Sequence, residues 1–532
     1  HYVAYGAAEG GRDYNTTDVS EHALREIYLP PFKAAIVDAG AGSVMSAFND
    51  LNGIPTSANP FTLTRVLRQE WRFDGLVVSD YESVGQLLDH RVAADGAEAA
   101  AQALTAGVDM EMVSRLYTTH GAALLKDGRL SHATVDEAVR RVLRVKFRLG
   151  LFERPYVDPA LERTVLLAPA HRAAAREIAG RSMVLLKNER SVLPLAKSVR
   201  SVALIGPLGD DRANMMGNWI GDGKAEDVVT LLEGLKAALP SASITHTRGA
   251  DIVGESTAGF DEAVAAARRA EVAVLAVGES GEMSGEAASR SSLDLPGVQL
   301  DLVKAVHATG TPVVVVLFNG RPLSIGWIAE HVPAILEAWF PGTEAGHAIA
   351  DVLVGAVNPG GKLPVTFPRA VGQVPIYYNH KSTGRPPTAE NKFTSKYIDL
   401  PWTPLYAFGY GLSYTTFEIR DLRLSAQTIR PDGQVRVAAS VTNTGSRAGD
   451  EVVQLYIQDV ASTVTRPVRE LKGFTRVAVA PGETRQVEFV LTPAELGFYD
   501  REMRFVVEPG AFKVWVGNSS EGGLEGSFAV TK

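Results

Sequence analysis

Four short, mainly apolar runs in the middle of the chain constrain its fold most strongly. They lie at residues 201–206, 271–277, 312–317 and 334–338. Continuous apolar runs, unlike alternating ones, are typical of strands whose two faces are both covered by helices. Helical patterns at 259–270 and 297–308 separate some of these runs, and such an alternation predicts a parallel sheet. We therefore predict an α/β sandwich domain over residues 180–375.

The first 155 residues alternate strands and helices in the same way, but their strands end in polar or reactive residues. Strand candidates lie at 42–48, 75–80 and 107–112, and helical patterns lie at 19–39, 61–71 and 95–106. In parallel barrels, the loops that follow the strands carry the functional groups. We predict residues 1–155 to be the C-terminal part of a (β/α)8-type barrel, followed by a linker over 156–179.

The chain starts at His1 in a strand-like run, without Met and without a signal peptide. We interpret this as an internal start, because about half of the eight strands of a closed barrel are accounted for. Half a barrel would leave sheet edges unpaired and a core uncovered. We expect the N-terminal barrel segment to be supplied covalently or as a nicked partner, and we expect activity to require it.

From about residue 417 the apolar pattern changes to strict alternation. Val435, Val437, Ala439 and Val441 alternate with other residues, and the same period recurs at 487–491 and 512–516. This period, broken by turn signals such as Asp-Gly and Pro-Gly, indicates antiparallel strands. We predict a β-sandwich over 417–532, preceded by a linker over 376–416 that is rich in Pro, Gly and Tyr.

Composition excludes several classes of function. A formal net charge of -8 leaves no basic footprint for nucleic acid, and no apolar run is long enough to span a membrane. The absence of cysteine excludes disulfides and thiolate chemistry. The 11 His residues have no close ligand spacing, and phosphate-binding and dinucleotide-binding motifs are absent. We expect neither a metal nor an organic cofactor.

Two carboxylates are candidates for catalysis. Asp80 follows an apolar run directly, and a strand end can hold a nucleophile rigidly at the mouth of a barrel. Capping of the following helix would equally explain an Asp at this position. Glu286 lies among small residues in a loop that follows another strand, where a solvated surface carboxylate is the alternative. Glu279 and Glu282 compete with it in the same loop.

Three further side chains are candidates for binding. His1 and Arg12 offer polar donors for substrate hydroxyl groups, although each could also be a structural residue with satisfied hydrogen bonds. Trp219 could provide an aromatic platform for a sugar ring, and a buried core position is the alternative.

A series of short motifs, taken in order, resembles glycoside hydrolase family 3 along essentially the whole chain. The motifs are HYVAYG at 1–6, GRDYN at 11–15, MSAFN at 45–49, VVSDY at 77–81, VLLKN at 184–188, SGE at 284–286, NPGGKLP at 358–364 and FGYGLSY at 408–414. One such motif would be weak, but the ordered set across three predicted domains is specific. The resemblance implies a barrel, an α/β sandwich and a fibronectin type III-like domain, with the active site between the first two.

The resemblance also implies roles for individual residues. Asp80 would be the nucleophile and Glu286 the acid/base. His1 and Arg12 would hold the sugar on the non-reducing side of the scissile bond. Tyr81 and Trp219 would clamp the next sugar.

The implied activity is that of a retaining, exo-acting β-glucosidase that hydrolyses terminal non-reducing β-D-glucosyl residues of oligosaccharides or aryl glucosides by double displacement. A β-xylosidase or broad β-glycosidase of the same family is the nearest alternative. A non-catalytic carbohydrate-binding protein is an alternative from a different class. We expect a periplasmic or secreted location, and a homodimer is left open.

Overall fold

The computed structural model describes residues 1–532 and divides into two units. One consists of His1–Thr164 with Arg501–Arg504, and the other of Val165–Asp500 with Phe505–Lys532. We refer to them as unit 1 and unit 2.

Unit 1 is built on a three-stranded parallel sheet. Its strands, with a small hairpin of β2 and β3, are β1 Ser43–Met45, β2 Asp50–Leu51, β3 Ile54–Pro55, β4 Leu76–Tyr81 and β5 Met110–Met112. The sheet order is β1-β4-β5. Tyr2 continues the parallel pairing beyond β1, because its N–H donates to Met45 O at 2.8 Å and its carbonyl accepts from Ala47 N at 3.1 Å. The strand-like run predicted at the start of the chain is therefore a single bridge beside β1.

Helices surround this sheet. The helical segments are Tyr5–Ala7, Glu9–Gly11, Glu21–Ala23, Leu24–Tyr28, Pro30–Lys33, Ala34–Asp38, Thr56–Ala58, Phe61–Glu70, Gly85–Leu87, Gly96–Ala106, Leu116–Lys126, His132–Arg148, Pro159–Leu161 and Glu162–Val165. Gly96–Ala106 starts where the Asp95 side chain accepts from Glu98 N and ends at Gly107, whose φ is 118°, a C-terminal cap that favours glycine. Ala99, Ala100 and Ala103 of this helix are fully buried, so its small residues allow close packing.

Unit 2 begins with a six-stranded sheet. Its strands are β6 Val184–Asn188, β7 Ser201–Ile205, β8 Ser243–Thr247, β9 Val272–Gly278, β10 Val313–Phe318 and β11 Ala334–Glu337. The order is β6-β11-β10-β9-β7-β8, and only β6 is antiparallel to its neighbour. Every residue of β9 and β10 is buried, and alternate residues of each strand enter two separate apolar clusters. Coverage on both faces explains the continuous apolar runs in the sequence.

Helices cover both faces of the six-stranded sheet. The helical segments of unit 2 are Pro169–Ser182, Glu189–Ser191, Ala225–Asp227, Leu231–Ala238, Phe260–Arg268, Gly281–Met283, Gln299–His307, Gly326–His331, Ala345–Leu353, Val371–Gln373 and Pro493–Leu496. Leu231–Ala238 begins with a capping box, in which Thr230 Oγ1 accepts from Glu233 N and Glu233 Oε2 accepts from Thr230 N. The linker predicted at 156–179 contains most of Pro169–Ser182, which packs against Ala345–Leu353. The second half of that predicted linker is therefore part of unit 2.

A β-sandwich completes unit 2. Its strands are β12 Phe417–Leu424, β13 Thr428–Ile429, β14 Val435–Asn443, β15 Gly449–Asp459, β16 Glu470–Val479, β17 Thr484–Leu491, β18 Phe498–Tyr499, β19 Phe505–Val506, β20 Gly510–Gly517 and β21 Leu524–Val530. The two main sheets have the orders β12-β14-β17 and β13-β21-β20-β15-β16. Val435, Val437, Ala439 and Val441 are all fully buried, as their alternation predicted. The predicted fold class, a multi-domain α/β protein with a C-terminal β-sandwich, is confirmed.

Candidate active site

Asp80 lies at the carboxyl end of β4, the central strand of the sheet in unit 1. The residue is 7% exposed. Its Oδ1 accepts a hydrogen bond of 2.7 Å from Tyr81 N. A backbone donor therefore orients one carboxylate oxygen.

His1 contacts the other oxygen of this carboxylate. Nε2 of His1 lies 2.8 Å from Asp80 Oδ2, and its ring stacks on Tyr5 with the centroids 4.9 Å apart. The structure thus brings together two residues that the sequence assigned to the site separately. An imidazole at this distance can donate to the carboxylate and fix its orientation.

Buried polar contacts hold β4 in place. Ser79 Oγ donates to Asp80 O and accepts from Met112 N, both at 2.8 Å. The side chain of Asp109 accepts from Val77 N at 2.9 Å and pairs with two arginines, Arg68 and Arg141, each at 2.7 Å. These contacts join β4 to β5 and to two helices, so the backbone that carries Asp80 is rigidly supported.

The other two candidates in unit 1 lie at the surface. Tyr81 is 57% exposed and directly follows Asp80. Arg12 is also exposed, and its Nε lies 3.5 Å from Glu9 O. An exposed aromatic ring and an exposed guanidinium are both accessible to a ligand.

Glu286 lies in a loop of unit 2 that follows β9, and its side chain is partly exposed. Its two competitors in this loop have other contacts. Glu279 is fully buried and pairs with Arg290 at 2.6 Å. Glu282 accepts from Asn218 Nδ2 at 3.3 Å. A fully buried carboxylate held by arginine cannot contact a substrate, so Glu279 is excluded on physical grounds.

Trp219 lies in a neighbouring loop of unit 2 and is 77% exposed. The buried core position considered for this Trp is therefore wrong. The loop of Trp219 contacts the loop of Glu286, because Asn214 Oδ1 accepts from Gly281 N at 2.9 Å and a Cβ at Gly285 would lie 2.8 Å from Asn218 Cβ. Within unit 2 the two candidates are carried by loops that pack together.

The sequence did not reveal a polar cluster at the carboxyl ends of β10 and β11. Glu337 is fully buried. Its Oε1 accepts from Trp339 N at 3.1 Å and its Oε2 from Asn319 Nδ2 at 3.2 Å. Burial, with a smaller contribution from the charge of Glu279, raises the pKa of Glu337 to about 8. In the sequence, the feature that could have indicated this cluster was Glu337 itself, a single acidic residue near the end of an apolar run.

Two general features can be stated for the whole chain. No group of three or more His, Asp or Glu side chains is arranged to hold a metal ion. No helix has both the length and the apolar character needed to cross a membrane.

Successive parts of the chain match known family descriptions. Residues 1–145 match the glycosyl hydrolase family 3 N terminal domain, residues 183–414 the family 3 C-terminal domain, and residues 451–520 a fibronectin type III-like domain. A periplasmic beta-glucosidase of Salmonella typhimurium is 45% identical, over 100% of this chain and 73% of its own length. The chain belongs to glycosyl hydrolase family 3.

Other family 3 proteins show a comparable similarity. A beta-xylosidase of Formosa agariphila is 42% identical over 98% of this chain and 73% of its own length. The crystal structure of a beta-glucosidase from Listeria innocua in complex with glucose has a TM-score of 0.96 and 42% identity, covering 100% of this chain and 73% of that one. A mutant of the Listeria innocua enzyme in complex with laminaribiose also has a TM-score of 0.96, with 41% identity and the same coverage.

Proposed function

We propose that this family 3 glycoside hydrolase is a retaining, exo-acting β-glucosidase, which removes terminal non-reducing β-D-glucosyl residues from oligosaccharides or aryl glucosides. The observation that carries the proposal is the oriented carboxylate of Asp80, buried at a strand end with His1 at 2.8 Å. The relative from Salmonella typhimurium, which is named a beta-glucosidase, supports the choice of sugar.

In the first step Asp80 is the nucleophile. One of its carboxylate oxygens forms a bond to the anomeric carbon while the bond from that carbon to the leaving oxygen breaks. Glu286 gives its proton to the leaving oxygen, so the aglycone departs as a neutral alcohol. The product of this step is a glucosyl ester of Asp80.

In the second step Glu286 acts as a base. Its carboxylate takes a proton from water, the water oxygen bonds to the anomeric carbon, and the ester bond to Asp80 breaks. Two displacements at the same carbon restore the β configuration. Both carboxyl groups end in their starting protonation states.

Four side chains are proposed to bind the substrate. His1 and Arg12 hold the glucosyl hydroxyl groups, for which both side chains supply N–H donors. Tyr81 and Trp219 clamp the next sugar, because an exposed aromatic ring stacks on the apolar face of a pyranose. The exposed fractions of Tyr81 and Trp219, 57% and 77%, support this assignment.

A test of these roles uses the chain together with the N-terminal barrel segment that its activity is expected to require, with p-nitrophenyl β-D-glucoside as the substrate and added azide. Asp80→Ala is expected to lose hydrolysis, and azide in the vacated space gives the α-glucosyl azide. In Glu286→Ala, Asp80 is expected still to attack substrates that have a good leaving group. Azide then reacts with the glucosyl ester to give the β-glucosyl azide. Glu282→Ala is the matched control in the same loop, expected to retain activity. Azide rescue in Glu282→Ala instead of Glu286→Ala would transfer the acid/base role to Glu282.

β-Xylosidase activity is the second candidate, and the 42% identical relative from Formosa agariphila favours it. Xylose differs from glucose by lacking the exocyclic hydroxymethyl group. Comparison of kcat/KM for p-nitrophenyl β-D-glucoside and β-D-xyloside decides between them. A chain that binds glucose but releases no nitrophenol from either substrate would support the non-catalytic alternative.

We also propose a periplasmic or secreted location, supported by the name of the Salmonella typhimurium relative. We propose a division into domains at 1–155, 180–375 and 417–532. The three family matches support it, because each match falls within one of these ranges or extends from it into a neighbouring linker. The N-terminal barrel segment and the homodimer stay predictions.

A further inference from the structure

The backbone on both sides of Glu286 adopts a conformation that L-residues rarely adopt. Gly285 has a φ of 122° and Ala287 a φ of 57°. Apart from a short helical turn at Gly281–Met283, no strand or helix supports the segment between β9 and Gln299. A loop with this geometry keeps one conformation only if surrounding residues hold it.

Arg321, which follows β10, binds the loop on both sides of Glu286. Its Nη2 donates to Met283 O, three residues before Glu286, and to Ala288 O at 2.7 Å, two residues after it. The side chain of Arg321 is 20% exposed. One guanidinium group therefore joins the two arms of the loop.

A buried carboxylate keeps this guanidinium in place. Nε of Arg321 lies 3.2 Å from Glu279 Oε1, and Arg290, four residues after Glu286 in the same loop, donates to the same oxygen at 2.6 Å. Oε2 of Glu279 accepts from Gly320 N at 3.4 Å. Glu279 is fully buried, so its charge is compensated by the two arginines, and the three side chains form one network.

We propose that Arg321 is a positioning residue that sets the location of the Glu286 carboxyl group by bridging Met283 O and Ala288 O. This inference rests on the proposed acid/base role of Glu286. A proton donor must lie within hydrogen-bond reach of the leaving oxygen, and a displacement of about 1 Å can reduce the rate about 10²-fold. The loop has no regular secondary structure to set that distance, and Arg321 bonds to its backbone on both sides of Glu286.

The test compares two substrates that differ in their need for a proton. Cellobiose has a poor leaving group that must be protonated, whereas 2,4-dinitrophenyl β-D-glucoside has a leaving group that departs unprotonated. For Arg321→Lys, which keeps the charge beside Glu279, kcat/KM for cellobiose is expected to fall about 10²-fold. For the dinitrophenyl glucoside, kcat/KM is expected to change little, while kcat and KM fall together because the ester intermediate accumulates when base catalysis is weakened.

A second variant perturbs the same loop while Arg321 stays unchanged. A Cβ at Gly320 would overlap Ser284 Oγ and lie 2.6 Å from Ser284 Cβ, so Gly320→Ala pushes on the loop two residues before Glu286. We expect Gly320→Ala to give the same selective loss for cellobiose, and Ser284→Gly in the same chain to restore activity. This pair keeps the test valid if Arg321→Lys does not fold.

Arg200→Met is the matched control, because the Arg200 side chain is 87% exposed and forms an ion pair with Glu271, far along the chain from the loop of Glu286. It is expected to leave both substrates unaffected. Equal losses for both substrates in Arg321→Lys and Gly320→Ala, or no loss in either variant, would overturn the positioning role. Failure of the function itself is distinguishable, because Glu286→Ala would then show no preference between the two substrates.

Discussion

The fully buried carboxyl group of Glu337 makes a quantitative prediction about pH. Its pKa in the folded chain is raised from the usual 4.5 to about 8, mainly by burial. Between these two values the folded chain keeps a proton that the unfolded chain has released. Stability therefore falls as pH rises from 4.5 to about 8, by about 1.4 kcal/mol per pH unit.

Glu337→Gln replaces the ionisable carboxyl group with an amide, which is neutral at every pH and has nearly the same shape. Both oxygens of Glu337 accept from N–H donors, Asn319 Nδ2 and Trp339 N, so the new amide group faces a donor and lowers stability by the same amount at every pH. The free energy of unfolding of the variant, relative to that of the wild type, is expected to increase by about 3 kcal/mol as the pH rises from 5 to 7.5. The gain should level off above pH 8, where both states of the wild type are ionised.

The measurement is urea-induced unfolding of the full chain at half-unit steps from pH 5 to pH 9. The free energy of unfolding of the wild type is subtracted from that of the variant at each pH. Glu330→Gln, at an exposed position of the neighbouring helix, controls for the change of side-chain type and should not reproduce the slope. A difference for Glu337→Gln that is constant across this range would refute the assignment of a buried, protonated carboxyl group.

Three further perturbations test other parts of the structure. Asp109→Asn leaves two partly buried arginines without their shared carboxylate, and it is expected to destabilise unit 1 by about 3–5 kcal/mol, measured by calorimetry. Thr230→Ala removes the capping box of its helix and should cost about 0.5–2 kcal/mol in urea unfolding; an unchanged midpoint would contradict this. Burial raises the pKa of Asp459 to about 6, so stability should fall between pH 4 and pH 6, and Asp459→Asn should make that part of the pH profile of thermal unfolding less steep.

Sequence could predict those strands in which the pattern of apolar residues reflects which faces of the strand are buried. β9 and β10 are apolar throughout because helices cover both faces, and β14 alternates because one face meets the sandwich core. β8 was not predicted, since it lies at the edge of its sheet and only one of its five residues is buried. β6 was recognised as a family motif and not as a strand.

The candidate site follows the same division. Asp80 stands at the end of an apolar run, and the order of the family motifs singled out both carboxylates. The contact between His1 and Asp80 depends on two segments that are 79 positions apart in the sequence. The network of Glu279, Arg290 and Arg321 depends on two loops that meet only in the folded chain. No local pattern encodes such a meeting, so sequence could predict the two candidate carboxylates but not the contacts that hold them.

The pairing of Tyr2 with β1 has a consequence for how this site can vary among related chains. His1 reaches Asp80 because β1 aligns Tyr2 on one side with β4 on the other, through Met45 O, Ala47 N and the register of Val44 with Val77. A single-residue insertion or deletion within β1 would turn every following side chain to the opposite face of the sheet. Related chains should therefore tolerate changes of residue type in β1 better than insertions or deletions, because the length of β1 determines whether His1 reaches Asp80.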